Sequence, residues 1–246
     1  MDRFHDSAGV PWQGREFSDN AFANDDGSTP PALAAVFRNS VIDKSELFLA
    51  LENSRVLIPL IAQLGESETG AHGHKVDKSA ELSIVAVSTP DNQTALPVFS
   101  SVEQMQLWNK AARPVPAEMR RVALAAISEG HTRVVLDAAS RAIVLRRPML
   151  SALAQSIPWS PPHISQTVSQ MVAKAIGTSS SIVNFGLIDG DVSCTLAGPE
   201  LIVQLSVTPG LNKQQLDAEL VGFTGSLQTD ELLELVDSIS YKVLRA

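Results

Sequence analysis

Arginine is the residue type in this chain that is best placed to bind a ligand or a partner. The segment from Lys110 to Arg147 holds eight basic residues and three acidic ones, a local net charge of +5. The planar guanidinium fits carboxylate and phosphate groups more closely than the lysine ammonium does. We therefore take six arginines as candidate ligand- or partner-binding residues: Arg113, Arg120, Arg121, Arg141, Arg146 and Arg147.

The same arginines also have a structural interpretation. They would then pair with Asp43, Glu46, Glu118 and the acidic start of the chain, and cover a layer of helices. Surfaces of mixed charge are ordinary in globular proteins, and exposed pairs contribute little free energy. The sequence favours this second interpretation, and an anion site remains the alternative.

Other reactive residue types lack the neighbours that chemistry requires. His72 and His74, with Asp77 downstream, have spacing suited to a metal ion, but the sequence does not identify the third and fourth ligands that a structural site needs, so we expect a solvated loop. Cys194 has no histidine near it in sequence, and we expect a small buried apolar side chain. We therefore assign no catalytic residue, no metal and no cofactor.

Three acidic residues surround a predicted turn in the second half of the chain. The pair Asp189-Gly190 is typical of a hairpin turn, and Asp191 and Glu200 follow it. Paired carboxylates perform acid–base chemistry only when burial separates their pKa values. An Asp-Gly turn indicates exposure, and we predict solvated carboxylates here.

Three aromatic residues stand out in the first 27 positions. This segment is polar and acidic, which predicts a flexible arm, yet it contains Trp12, Phe17 and Phe22. The rings either pack on the body of the protein or form a short partner-binding motif.

The composition limits the possible function classes. The chain has 246 residues and a net charge of −8, with −4 in residues 1–30, +1 in 31–155 and −5 in 156–246. This balance disfavours binding to nucleic acid, which depends on clustered basic residues. We expect no membrane span, no leader peptide and, with one cysteine, a cytoplasmic location.

The elements that must position these residues follow from caps, prolines and hydrophobic spacing. An α+β fold is predicted, with two small domains of mixed sheet and helix at 28–156 and 163–246, joined by the proline-rich IPWSPP segment. The predicted elements of the first domain are a helix after Pro31, a helix capped by Asp43, a buried strand Arg55–Gln63, a strand Leu82–Ser88 with its hairpin partner Ala95–Phe99, a helix capped by Ser100, a helix opened by Pro116 and closed by Gly130, a hairpin of 133–137 with 142–146, and a short helix to Gln155.

The second half predicts a small α+β layer. The predicted elements are a helix Ser165–Ile176, a hairpin of Ser181–Ile188 with Val192–Leu196, a strand Glu200–Thr208, a helix capped by Asn212 and broken at Gly222 and Gly225, and a last helix from Asp230 whose ISYKV end has strand character as well.

The middle of the chain resembles the SseB (enhanced serine sensitivity) N-terminal domain family, in its actinobacterial form. The resemblance covers about residues 28–155 and rests on the stretches DKSAEL, ALPVFSS, ARPVP and RRP in combination. The N-terminal arm resembles the N-termini of SseB-like proteins, including the Asp25-Asp26-Gly27-Ser28 step. The second half is similar in length and order to their C-terminal domain. The resemblance implies no assigned catalytic residue.

We therefore expect a cytoplasmic, non-enzymatic protein-interaction or regulatory module with a protein partner. One alternative is a protein or enzyme that binds a small anionic ligand through the Arg113–Arg147 cluster. Another is an RNA- or ribosome-associated factor, which the charge balance disfavours. Formation of a homo-oligomer is left open.

Overall fold

The chain alternates short helices and strands throughout. The computed structural model describes residues 21–63, 81–177 and 179–245, and the statements below concern those residues. Its first part contains α1 (Pro31–Val36), α2 (Lys44–Glu52), β1 (Arg55–Gln63), β2 (Glu81–Ile84), β3 (Val87–Ser88), β4 (Thr94–Val98), α3 (Val102–Trp108), β5 (Arg113–Glu118), α4 (Met119–Ser128), β6 (Arg133–Leu136), β7 (Ile143–Arg146) and α5 (Arg147–Gln155). The second part contains a 3₁₀ turn (Pro162–Ile164), α6 (Gln166–Ile176), β8 (Ile182–Asp189), β9 (Leu201–Val207), α7 (Lys213–Leu227), α8 (Asp230–Leu235) and β10 (Ile239–Arg245).

Most helices begin where a side chain satisfies free backbone N–H groups. Asp43 accepts hydrogen bonds from Ser45 and Glu46 at the start of α2, as predicted. The cap of α3 is Ser101, one residue later than predicted. Ser100 is unavailable because its backbone N–H and its hydroxyl both donate to the buried carboxylate of Asp137, each over 2.8 Å.

The ARPVP stretch forms strand β5, so the prediction that Pro116 opens a helix was wrong. Leu57 exchanges both its backbone hydrogen bonds with Phe99, on the side of β1 away from β5. The β1 residues that point their backbone groups toward β5 are therefore the alternate ones, Val56, Ile58 and Leu60. Pro59, Pro114 and Pro116 all occupy the other set of positions. Proline has no backbone N–H to donate, and at these positions no hydrogen bond between β1 and β5 is lost. The extended backbone of a strand also suits a residue that precedes proline.

The predicted strand Leu82–Ser88 is divided between two sheets. β2 pairs with β1, while β3 pairs with β4. The first sheet has the order β2-β1-β5 and the second the order β3-β4-β6-β7. The predicted hairpin of β6 with β7 is confirmed, and β4 lies parallel to β6.

Helices α1, α2, α4 and α5 cover one face of the four-stranded sheet and form the first hydrophobic core. Its fully buried members include Leu33, Leu47, Leu136, Ile143 and Leu150. Trp159 of the proline-rich segment joins this core by packing against Phe48, with ring centroids 5.6 Å apart. The segment after α5 is thus attached to the first core.

The second part has its own core beneath the sheet β10-β9-β8. β8 pairs directly with β9, so the predicted hairpin partner Val192–Leu196 was wrong, and ISYKV lies in a strand parallel to β9. α7 continues through Gly222 and Gly225, contrary to prediction. Its capping box of Asn212 and Gln215 and the buried Phe223 and Leu227 outweigh a cost of about 1 kcal/mol per glycine. The α+β class is confirmed.

None of the helices in the described ranges is long and apolar enough to cross a lipid bilayer.

The proline register of β5 gives a stability prediction. Val115→Pro places a proline opposite Ile58, where the backbone N–H serves the ladder, and we expect a loss of about 1–3 kcal/mol in the free energy of unfolding. Pro114→Val is the control, because a backbone N–H at this neighbouring position would not take part in the hydrogen bonds between β1 and β5. Urea denaturation measures both, and equal effects of the two substitutions would contradict this register.

Candidate functional site

The most extensive charge pairing in the described residues lies where the two cores meet. Arg133 begins β6, Arg146 ends β7, and the two residues face each other across the hairpin. Both are buried. Like charges that face each other on a sheet repel, so this arrangement requires an anion nearby.

Asp237, in the turn between α8 and β10, supplies that anion. Arg133 donates two hydrogen bonds to its carboxylate, over 2.7 and 2.9 Å, and Arg146 donates a third over 3.1 Å. Arg146 also donates to Ser238 Oγ over 2.9 Å. One carboxylate from the second part therefore holds two arginines of the first, in the two-pronged geometry that guanidinium groups favour.

Asp191 is the second buried partner of Arg146. Arg146 Nη2 donates to it over 2.7 Å, and the backbone N–H groups of Thr195, Leu196 and Ala197 also donate to its carboxylate. Burial opposes ionisation of Asp191, but the hydrogen bonds from Arg146 and Leu196 lower its pKa below the ordinary value. The loop 191–197 is thus folded around an ionised carboxylate.

Lys44, at the start of α2, makes a fourth ion pair between the two parts. Its Nζ lies 2.5 Å from Asp189 Oδ1, and both side chains are largely buried. We call Lys44, Arg133, Arg146, Asp189, Asp191, Glu200 and Asp237 the junction cluster.

Glu200 is the carboxyl of the junction cluster without a cation partner. Within the cluster, three cations pair with three aspartates, and Glu200 is the acid that makes no ion pair. Arg133 has one more partner outside the cluster, Asp91, over 3.2 Å. Its Oε2 accepts one hydrogen bond, from the backbone N–H of Asp237 over 2.6 Å. Burial, together with the negative charge of Asp237, raises the pKa of Glu200 to about 7.

The prediction that Asp189, Asp191 and Glu200 lie in a solvated turn was wrong. Asp191 is 2% exposed and Glu200 is 3% exposed. Gly190 does not serve a two-residue hairpin. A Cβ atom there would lie 2.3 Å from the carbonyl oxygen of Pro199, so the glycine permits a close backbone approach that turns the loop back onto β7.

This loop also explains Cys194. The Val144 N–H at the edge of the four-stranded sheet donates to the Cys194 carbonyl over 2.6 Å, so the loop covers an edge strand. The side chain is buried in the first core, as predicted. Burial raises the pKa of the thiol to about 11, which leaves it protonated and unreactive at neutral pH.

The structure does not bring the six predicted arginines to one pocket. Arg120 pairs with Glu52 over 2.8 Å, Arg121 pairs with Glu118 over 3.2 Å, and Arg141 lies 4.5 Å from the ring centre of Phe37. Arg147 donates to the Leu233 carbonyl, and Arg146 belongs to the junction cluster.

Arg113 differs from the other five. It is exposed on β5 and has neither a side-chain hydrogen bond nor an ion pair with the described part of the chain. Arg133, Lys44 and Asp237 were not predicted as site residues, because their partners lie far away in sequence.

An open apolar groove lies beside the junction cluster. Two adjoining cavities of about 490 and 390 Å³ share Val41, Ile42 and Val192, and Ile164 lines the larger one. Val41 is 59% exposed, Ile164 61% and Val192 50%. We call these four residues the junction groove. Its walls come from both parts of the chain.

Part of the predicted arm is attached to the first core. Arg55 donates to Asp25, and the Val102 N–H donates to the Gly27 carbonyl over 2.8 Å. Phe22 lines a cavity with Arg55 and Arg120. Trp12 and Phe17 lie outside the described residues.

The metal-like spacing of His72, His74 and Asp77 also lies outside the described residues. Within the ranges that the structure describes, no three His, Cys, Asp or Glu side chains are placed to hold an ion.

Fold and junction together define an α+β protein whose two main hydrophobic cores are joined by buried ion pairs. Residues 31–152 match the SseB protein N-terminal domain, and this range includes most of the first core and both junction arginines. The chain belongs to the SseB family through this domain. It matches no curated protein and no solved structure at a significant level.

The shared carboxylate gives a second prediction. Asp237→Asn leaves Arg133 with Asp91 and Arg146 with Asp191 as their remaining anions, and we expect a loss on the order of 3 kcal/mol in the free energy of unfolding. Arg121→Gln removes an exposed pair and should change it by less than about 0.5 kcal/mol. Urea denaturation compares them, and a small effect of Asp237→Asn would show that the junction does not depend on this pairing.

Glu200 gives a third prediction, on pH. Its pKa is higher in the folded protein, about 7, than its ordinary value of 4.5. The folded form therefore binds the proton more tightly, and stability falls as the pH rises from about 4.5 to about 7. The loss attributable to Glu200 is on the order of 3 kcal/mol.

Glu200→Gln keeps the shape and stays neutral. We expect the variant to be the more stable form at pH 8, with the advantage shrinking toward pH 5. Thermal unfolding across this range measures the difference, and a difference that does not vary with pH would contradict the assignment.

Proposed function

We propose that this SseB-family chain is a non-enzymatic protein-interaction module whose junction groove receives a short apolar segment of another protein. The observation that carries the proposal is the groove itself. Its apolar residues Val41, Ile164 and Val192 are each at least half exposed, although they lie side by side. Contiguous exposed apolar surface of this kind is typical of protein interaction sites.

The surroundings of the groove fit a peptide partner. Its rim is polar, with Asn39, Ser40, Ser193 and Thr195 on one side and Ser45 on the other. An apolar centre with a polar rim is the usual anatomy of a protein interface. The cavity volumes of about 490 and 390 Å³ fall in the range of sites that enclose a few side chains.

The charged groups beside the groove support binding over catalysis. Lys44 and Asp189 are paired with each other, and Asp43 accepts two backbone hydrogen bonds as the cap of α2. Cys194 lies nearby with a pKa of about 11. A reaction needs an acid, base or nucleophile in the right protonation state facing the substrate, and these four groups are engaged or buried. His163 also lines the groove, and its Nδ1 is buried without a hydrogen-bond partner among the described residues.

The alternative of an anion site at the arginines has less support. Four of the six candidates make ion pairs or hydrogen bonds within the chain, Arg141 lies over the Phe37 ring, and Arg113 stands apart on β5. An anion site requires several cations that converge on one cavity. The segment with Trp12, Phe17 and Phe22 remains a candidate for further contact with the same partner.

The proposal is tested by cross-linking from defined positions. A photoreactive amino acid replaces Val41 or Val192 in the full chain, and the control replaces Val221, which is 71% exposed on α7 in the second part. We expect a discrete protein adduct from both groove positions and none of the same mass from position 221. Val41→Asp should remove the adduct formed from position 192, because an apolar segment bound in the groove would strip water from the new charge.

The adduct is identified by mass spectrometry, and the partner segment is then bound as a synthetic peptide. Equal adducts from position 221, or unchanged capture in the Val41→Asp chain, would contradict the groove as the interaction site.

A further inference from the structure

Another cavity lies on the far side of the second core, away from the junction. It has a volume of about 480 Å³ and lies between the turn before β8 and the outer face of α7. The buried Phe223 and the half-buried Leu211 give it an apolar floor. Three consecutive serines, Ser179 to Ser181, stand on one side. We call it the serine pocket.

The serines hold one carboxylate in the pocket. The hydroxyls of Ser179, Ser180 and Ser181 all donate to Glu219, over 2.5, 3.3 and 3.1 Å. The hydrogen bond from Ser179 is the main reason that the pKa of Glu219 lies below its ordinary value. Glu219 has no lysine or arginine partner among the described residues, so its negative charge faces the cavity unneutralised.

The unused hydrogen-bond acceptors show which kind of chemical group the pocket can bind. Ser179 Oγ also accepts from the N–H groups of Ser181 and Ile182, so its lone pairs are used. The hydroxyl protons of Ser180 and Ser181 are directed at Glu219, which leaves their lone pairs free. The carboxylate offers about four acceptor positions, of which three are occupied. Three acceptor groups therefore remain: Ser180, Ser181 and Glu219.

The helix wall of the pocket contains a residue that has no packing function. Gly222 lies three residues after Glu219 on the same face of α7, and a Cβ atom added to it would meet nothing within 4 Å. A glycine inside a helix lowers its stability, and close packing does not require this one. Its lack of a side chain keeps the pocket open. Gly225 has the same freedom but does not line the pocket.

We propose that the serine pocket binds a primary ammonium group, whose three N–H donors match the acceptors on Ser180, Ser181 and Glu219. The attached alkyl chain would lie over the apolar floor. Such a group belongs either to a free small amine or to a lysine side chain of another protein. The inference is independent of the junction groove and of its partner.

Two probes test the chemistry on the full chain. One is n-pentylamine, and the other is the peptide acetyl-Gly-Lys-Gly-amide, with its Nε-acetylated form as the neutral control. We expect both cationic probes to shift the backbone amide resonances of Ser180, Ser181 and Glu219 in a saturable way, and the acetylated peptide to leave them unchanged. Binding by the peptide alone would assign the pocket to a protein lysine.

Three variants separate the site from general structural effects. Glu219→Gln should weaken binding about tenfold or more, because it removes a charge-assisted hydrogen bond. Gly222→Met fills the pocket and should also weaken binding, while Gly225→Met should not. Both methionine variants should raise the melting temperature by about 2 °C, because methionine favours a helix over glycine. If both variants are stabilised and only Gly222→Met loses binding, the loss comes from filling the pocket and not from a change in the stability of the helix.

The proposal is overturned if neither cationic probe gives a saturable shift. It is equally overturned if Glu219→Gln retains the affinity of the unchanged chain, or if the acetylated peptide binds as well as its parent.

Discussion

The carboxylate of Asp237 is the contact on which the arrangement of the two parts depends. The β6–β7 hairpin places Arg133 opposite Arg146, and two buried guanidinium groups so close together repel each other. Both arginines bind the carboxylate of Asp237, which lies 104 residues after Arg133 and 91 after Arg146. Arg133 also pairs with Asp91, and Arg146 with Asp191. Buried ion pairs add little net stability compared with apolar contacts, but an uncompensated buried charge is very costly. The cluster therefore fixes which surfaces meet more than it strengthens their contact.

Residues outside the matched SseB domain supply counter-charges for its buried arginines and cover one of its strand edges. Residues 31–152 contain both junction arginines, while Asp191 and Asp237 follow the match. The loop that carries Asp191 also covers the edge of β7 through the hydrogen bond from Val144 to Cys194. An uncovered edge strand is a template for unwanted pairing. The second part thus neutralises the charges and covers the strand edge of the first.

Local signals predicted much of the fold, and distant contacts explain what they missed. The cap at Asp43, the capping box of Asn212 and the β6–β7 hairpin depend on residues close in sequence, and these predictions were confirmed. The strand nature of ARPVP depends on its register with β1, more than fifty residues earlier, which a single sequence does not display. The burial of Asp191 and Glu200 likewise depends on β7 and on the turn at Asp237. For the same reason the arginines were taken as one linear cluster, although the structure pairs Arg120, Arg121 and Arg146 with acids from α2, β5 and the second part, and the other three with none of the described acids.

Lys44 and Asp189 of the junction cluster line the same cavity as the junction groove. Binding in the groove is therefore coupled to the contact between the two parts of the chain. Val41 and Ile42 come from the first part, and Ile164 and Val192 from the second, while the Lys44–Asp189 pair lies between them. A ligand that contacts both walls binds best when the two parts are held together, so it must also stabilise their contact by the same free energy. Glu200 then affects both, because its ionisation places an unpaired charge beside Asp237 in the cluster. Affinity in the groove is therefore expected to follow the protonation of a carboxyl that does not touch the ligand.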